Sequence, residues 1–128
     1  MTDVLVFSIK MPPTANKIWR IRKGSLPYKS EEYKAWRTEA AWDIAAQRAG
    51  NSIEGPCKVE ISARRPRANA DLDNRIKPIL DALQDGGAFA NDNAVHEISA
   101  KWADLNHNGV FVCVESIRAT TQPSKVAA

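Results

Sequence analysis

The chain has little of what builds soft-metal centres, disulfide frameworks or membrane spans. Of its 128 residues only two are cysteine and two are histidine. Cys57 and Cys113 lack Cys-x-x-Cys spacing and sit in apolar strand patterns, so reduced core thiols are expected rather than a disulfide. Neither His96 nor His107 has a partner at ligand spacing, which argues against zinc or copper. No apolar run approaches the roughly 18 residues that a membrane helix needs. The first residues also lack the basic and apolar regions of a secretory signal, so a cytoplasmic protein without membrane contact is expected. There is no internal repeat. With 44% apolar residues, this length suits one compact domain with a real core.

Charge is ordinary in sum and uneven in distribution. The formal net charge is +3, yet the segment 17–37 carries seven Lys or Arg against two acids, Glu31 and Glu32. Its net of five positive charges exceeds that of the whole protein. A second basic run follows at Arg64, Arg65 and Arg67. Clusters of this kind are either solvated faces or footprints for a polyanion such as a nucleic-acid backbone.

Directly after the second run comes Ala70-Asp71-Leu72-Asp73-Asn74-Arg75-Ile76-Lys77, then Asp81, and later Asn91-Asp92-Asn93. Carboxylates packed this closely repel one another unless a cation neutralises them. In an extended segment Asp71 and Asp73 would leave the same side of the backbone and converge on one ion. Hard oxygen ligands favour Mg²⁺ or Mn²⁺. The bland alternative makes Asp71 or Asp73 a helix cap beside ordinary surface acids. Pro78 places the start of the following helix between Asp73 and Lys77, which leaves Asp71 to Asp73 in a turn or strand end. Lys77 and Asp81, four apart, then share a helix face, as a simple ion pair or as part of a phosphate-handling site.

Periodicity gives an α+β domain with the order β-α-β-α-β-β and a mixed sheet with two helices. Val4 to Ile9 reads as a strand ended by Pro12 and Pro13. Residues 14–29 read as a long loop or irregular hairpin. Ser30 is the expected cap of a helix in which Tyr33, Trp36, Ala40 and Ile44 repeat at helical spacing to about Arg48, with Gly50 as the stop. Cys57, Val59, Ile61 and Ala63 alternate with polar residues in the clearest strand. Residues 94–103 and 110–117 read as strands joined by Asn106-His107-Asn108-Gly109, a turn with the Asn-Gly hairpin signal. The domain is expected over 1–118, with 119–128 a frayed tail. Trp42 and Phe111 are candidates either for a subunit interface or for burial within one chain.

Together, Asp71-Leu72-Asp73-Asn74, Lys77, Asp81-Ala82-Leu83, Gly87 and Asn91-Asp92 resemble the signature of the RusA-type Holliday junction resolvases. Pro12-Pro13-Thr14-Ala15-Asn16 is similar to that family's Pro-Pro-Ser/Thr-x-Asn segment, and the resemblance runs in order over residues 4–117. It implies a Mg²⁺-dependent endonuclease, with Mn²⁺ as the alternative ion, acting on four-way DNA junctions as a homodimer. Asp71, Asp73 and Asp92 would then hold the metal, and Lys77 would complete the catalytic set. DNA contacts are expected from Asn16, Lys17, Arg20, Arg22, Lys23, Arg64, Arg65, Arg67 and Asn74. Many members of the family carry two consecutive aspartates where this chain has Asn91-Asp92, so Asn91 becomes a neutral helper or a turn residue. The rival readings are a branched-DNA-binding protein with impaired catalysis and an acidic-site metal-dependent nucleotide hydrolase.

Overall fold

In a computed structural model of the chain, residues 2–13, 19–20, 28–29, 31–66, 68, 70–105 and 109–117 are described, with 19–20 and 28–29 described by backbone alone. Strand β1 (Val4–Lys10) turns Leu5, Phe7 and Ile9 inward. Two short antiparallel strands follow, β2 (Trp19–Arg20) and β3 (Tyr28–Lys29), which form the irregular hairpin expected there.

Helix α1 (Glu31–Arg48) starts with Glu31 and Glu32 in its first turn, where carboxylates oppose the positive end of the helix dipole. It buries Tyr33, Trp36, Ala40 and Ile44, the stripe seen in the sequence. Its reversal begins one residue ahead of the expected Gly50: Ala49 already has φ 50°, and Gly50 follows at φ 81°. The Ser30 cap lies outside the described residues.

Strand β4 (Cys57–Ala63) leads through the arginines into helix α2 (Asp73–Gly86), which buries Ile79, Leu80, Ala82 and Leu83. Gly87 closes it in the left-handed region, at φ 88°. Gly86 lets the helices approach, since a Cβ there would lie 2.6 Å from Cγ2 of Ile44. A short 3₁₀ turn (Asp92–Ala94) precedes β5 (Val95–Trp102), and β6 (Gly109–Ser116) completes the domain.

The sheet order is β1-β6-β4-β5, with β4 and β5 parallel and the other pairs antiparallel. This corrects the hairpin expected between the last two strands, because β4 lies between them. Burial explains the outcome. Val110, Val112 and Val114 of β6 are fully buried and belong in the centre of the sheet, whereas His96, Glu97 and Ser99 of β5 are exposed and suit an edge. The parallel pairing of β4 with β5 uses α2 as its crossover.

One core joins the inner sheet face to both helices. The other face carries Val4, Val6 and Phe111 at the surface, and Cys113 lies on that side, half-buried and opposite in orientation to Val112 and Val114. Cys57 is thus a core thiol and Cys113 is not. Trp42 is 73% exposed and Phe111 42%, so neither is buried within the chain. The free edge of β1 is blocked by Gln47, whose side-chain amide donates to the Ser8 carbonyl and accepts from the Ser8 N–H, both at 2.8 Å.

Candidate active site

The acidic segment lies at the entrance to α2, after the stretch 64–72 that follows β4. Leu72, at φ −73° and ψ −44°, is already in the helical region. Asp71 and Asp73 therefore flank a helix entrance and not an extended segment, which corrects the geometric argument drawn from their spacing. The capping alternative fails too, for no side chain caps α2. The Asp71 carboxylate instead accepts from Nδ2 of Asn74 at 3.2 Å.

Arg75 holds the segment down. It is 3% exposed, donating from Nη1 to the Pro12 carbonyl at 2.8 Å and from Nε to the Asp71 carbonyl at 3.3 Å. One buried guanidinium thus ties the Pro-Pro segment after β1 to the Asp71 turn. Arg75 is not among the residues expected at the site, yet the sequence carries a signal for it: Arg75, Ile79 and Leu83 fall on one helical stripe, and a charge on an inward stripe needs partners.

Lys77 is the centre of the polar network. Its Nζ lies 2.9 Å from Oδ2 of Asp92 and 3.0 Å from Oδ1 of Asp81. The hydrogen bond to Asp92, followed by that to Asp81, raises the Lys77 pKa above its ordinary value and keeps the ammonium charged. Asp92 is delivered by the loop after α2, where its N–H donates to Oε1 of Gln84 at 2.8 Å. Asn91 is the turn residue: its Oδ1 accepts from the Asn93 N–H at 2.9 Å and caps the 3₁₀ turn. Gln84 had no signal in the sequence, since its role arises only when the chain folds back on α2.

Behind Lys77 the network continues. Nη1 of Arg37 stands 3.8 Å from Oδ2 of Asp81, while the same guanidinium grips Asp85 through Nε at 2.5 Å and Nη2 at 3.2 Å. The Asp85 hydrogen bond raises the Arg37 pKa further above its usual range, against the cost of burial. Arg37 belongs to the basic segment 17–37, but its charge is partly answered within the protein by Asp85 and Asp81.

The expected residues are brought together in part. Lys77 and Asp92 touch, Asp73 precedes Lys77 by one helical turn, and Asp71 is held at the helix entrance by its contact with Asn74. Among the described residues no three His, Cys, Asp or Glu side chains are gathered as an ion-binding cluster. Arg64 and Arg65 are exposed at the end of β4, and Arg65 lies 5.7 Å from the centre of the Trp102 ring. Asn16, Lys17, Arg22, Lys23 and Arg67 lie outside the described residues, and the Arg20 side chain is not described.

Residues 10–115 match the family model described as endodeoxyribonuclease RusA. The chain is accordingly a small α+β endonuclease by family and fold. The chain belongs to the RusA family of Holliday junction resolvases. Crossover junction endodeoxyribonuclease RusA of Aquifex aeolicus (strain VF5) is 26% identical to it over 122 residues, which cover 93% of this chain and 96% of that relative.

Proposed function

We propose that the protein resolves four-way DNA junctions by paired, symmetric, metal-dependent nicks, in recombination and repair. The observation that carries this reading is the Lys77 ammonium lodged on Asp92 beside the Asp71 to Asp73 turn, within a chain of this family. The residues fit a hard divalent cation by their chemistry. Their donors are carboxylate oxygens, and the side chain at Asp92 already holds a positive charge in the form of Lys77.

Asp71, Asp73 and Asp92 would hold Mg²⁺, or Mn²⁺ in its place. Bound there, the ion supplies positive charge that activates water and offsets the charge developing on the phosphate. Lys77 presents a compact ammonium to the same phosphate and stabilises the excess negative charge of the transition state. Asn91 and Gln84 fix the loop that carries Asp92, and Arg75 fixes the turn that carries Asp71.

Junction recognition rests on backbone charge and shape. Lys17, Arg20, Arg22, Lys23, Arg64, Arg65 and Arg67 contact phosphates, with Asn16 and Asn74 nearer the cut. Two cuts related by symmetry call for two sites related by a twofold axis, hence a homodimer. The test is a synthetic four-way junction incubated with and without Mg²⁺. Symmetric nicks that need the ion support the reading, and binding without cleavage would favour the impaired-catalysis alternative.

A further inference from the structure

Lys77 has two anionic partners, and on the reading just given only one of them, Asp92, is also required by the metal. A cation that claims Asp92 removes half of what holds the ammonium. The other half is Asp81, whose side chain is 20% exposed against 69% for Lys77. Asp81 is set one helical turn beyond Lys77 in the second half of α2, and its second oxygen faces Arg37. Arg37 is itself fixed by two hydrogen bonds to Asp85. The series Asp92, Lys77, Asp81, Arg37, Asp85 alternates in sign, and its members beyond Lys77 are all less exposed than the ammonium itself.

We propose that Asp81, backed by Arg37, is the positioning residue of Lys77: it keeps the ammonium at the site when Asp92 is engaged by the metal, and it lowers the competition of Lys77 for Asp92. Without Asp81, Lys77 has Asp92 as the partner that remains among these contacts, and the divalent ion must displace it. This inference rests on the proposed roles of Lys77 and Asp92.

The test is a double-mutant cycle with two readouts, Mn²⁺ affinity measured with the metal alone and single-turnover cleavage of a four-way junction. The variants are Asp81→Asn, Lys77→Ala and the pair, with Asp81→Glu as the conservative variant and circular dichroism as the check of folding. Asp81→Asn is expected to weaken Mn²⁺ binding by about 10-fold when Lys77 is present and by little when Lys77 is alanine, the non-additivity of coupled neighbours. It is expected to slow cleavage by roughly 10- to 100-fold, the cost of a misplaced catalytic group, while the pair cuts no worse than Lys77→Ala. Asp81→Glu should recover part of both losses.

Equal losses of Mn²⁺ affinity in both backgrounds would mean that Asp81 acts on the metal through its field and would overturn the proposal. So would cleavage losses that multiply in the pair. A wild-type protein that neither binds Mn²⁺ nor cuts the junction contradicts the proposed function and the anchor together. A wild-type protein that does both, beside an Asp81→Asn variant equal to it, contradicts the anchor alone.

Discussion

At the scale of single residues, the proposed reading separates groups that carry charge to the phosphate from groups that hold them. Replacing Asp71, Asp73 or Asp92 by asparagine is expected to abolish cleavage and leave junction binding intact or tighter, because each change removes a negative charge close to phosphate. Gel-shift and nicking assays on the same samples check this, and a fully active Asp71→Asn or Asp92→Asn protein would contradict the ligand assignment. Asn91→Ala should behave differently. Its side chain caps the 3₁₀ turn, so the loss is one of stability, about 1 kcal/mol for a lost cap, with substantial cleavage retained. A dead but folded Asn91→Ala enzyme would transfer the third ligand from Asp92 to its neighbour.

Arg75 belongs to the same scale. Its replacement by alanine strips partners from two carbonyls and empties a buried volume, which is expected to cost about 1–3 kcal/mol of stability. Urea denaturation measures that loss, and a midpoint equal to wild type would show that the tie between Pro12 and Asp71 is dispensable. The Lys77–Asp81 pair was legible in the sequence because a spacing of four puts both side chains on one helix face. Arg37, Arg75 and Gln84 were less so, since their roles depend on partners 8 to 63 positions away that only the fold brings near.

At the scale of elements, α1 and α2 must meet closely for Lys77 and Arg37 to face the same carboxylate. Gly86 permits this, with a built Cβ at 2.6 and 2.7 Å from Ile44 and 2.9 Å from the Ala41 carbonyl. Gly86→Ala is therefore expected to push the helices apart and destabilise the domain by about 1–3 kcal/mol, the usual cost of overpacking. A thermal melt reads it, and an unchanged or raised midpoint would show that the helices have room to give. Elements were the most legible level: β1, β4, β6 and both helices follow a local period of two or 3.6. Their pairing was not. The Asn-Gly signal before Gly109 favours a hairpin locally, but full burial of Val110, Val112 and Val114 draws β6 between β1 and β4. Likewise Asp71 and Asp73 would share one side of the backbone only in an extended segment, and the chain turns into α2 at Leu72 between them.

At the scale of the whole molecule, the proposed function calls for a basic surface that brings a polyanion to a site rich in acids. The charges of Arg37 and Lys34 are partly answered within the protein, by Asp85 and Glu31, so the proposed binding charge falls to Lys17, Arg20, Arg22, Lys23 and the Arg64 to Arg67 run. Neutralising any two of the first four should make the slope of log K against log salt shallower by about 2, near 0.9 for each lost contact on duplex arms. Folding should change by no more than about 0.5 kcal/mol, as is usual for exposed charges. An unchanged slope and affinity would move the contact surface to Arg64, Arg65 and Arg67.

The central claim is that the Asp71 to Asp73 turn serves metal-dependent junction cleavage. Its most direct test compares wild-type protein with Asp73→Asn on a synthetic four-way junction and on a linear duplex of the same sequence, with and without Mg²⁺. The expected result is symmetric nicking of the junction by wild type with Mg²⁺ only, little cutting of the duplex, and junction binding without nicking by Asp73→Asn. Nicking that persists in Asp73→Asn, or that proceeds equally on linear duplex, would contradict the account.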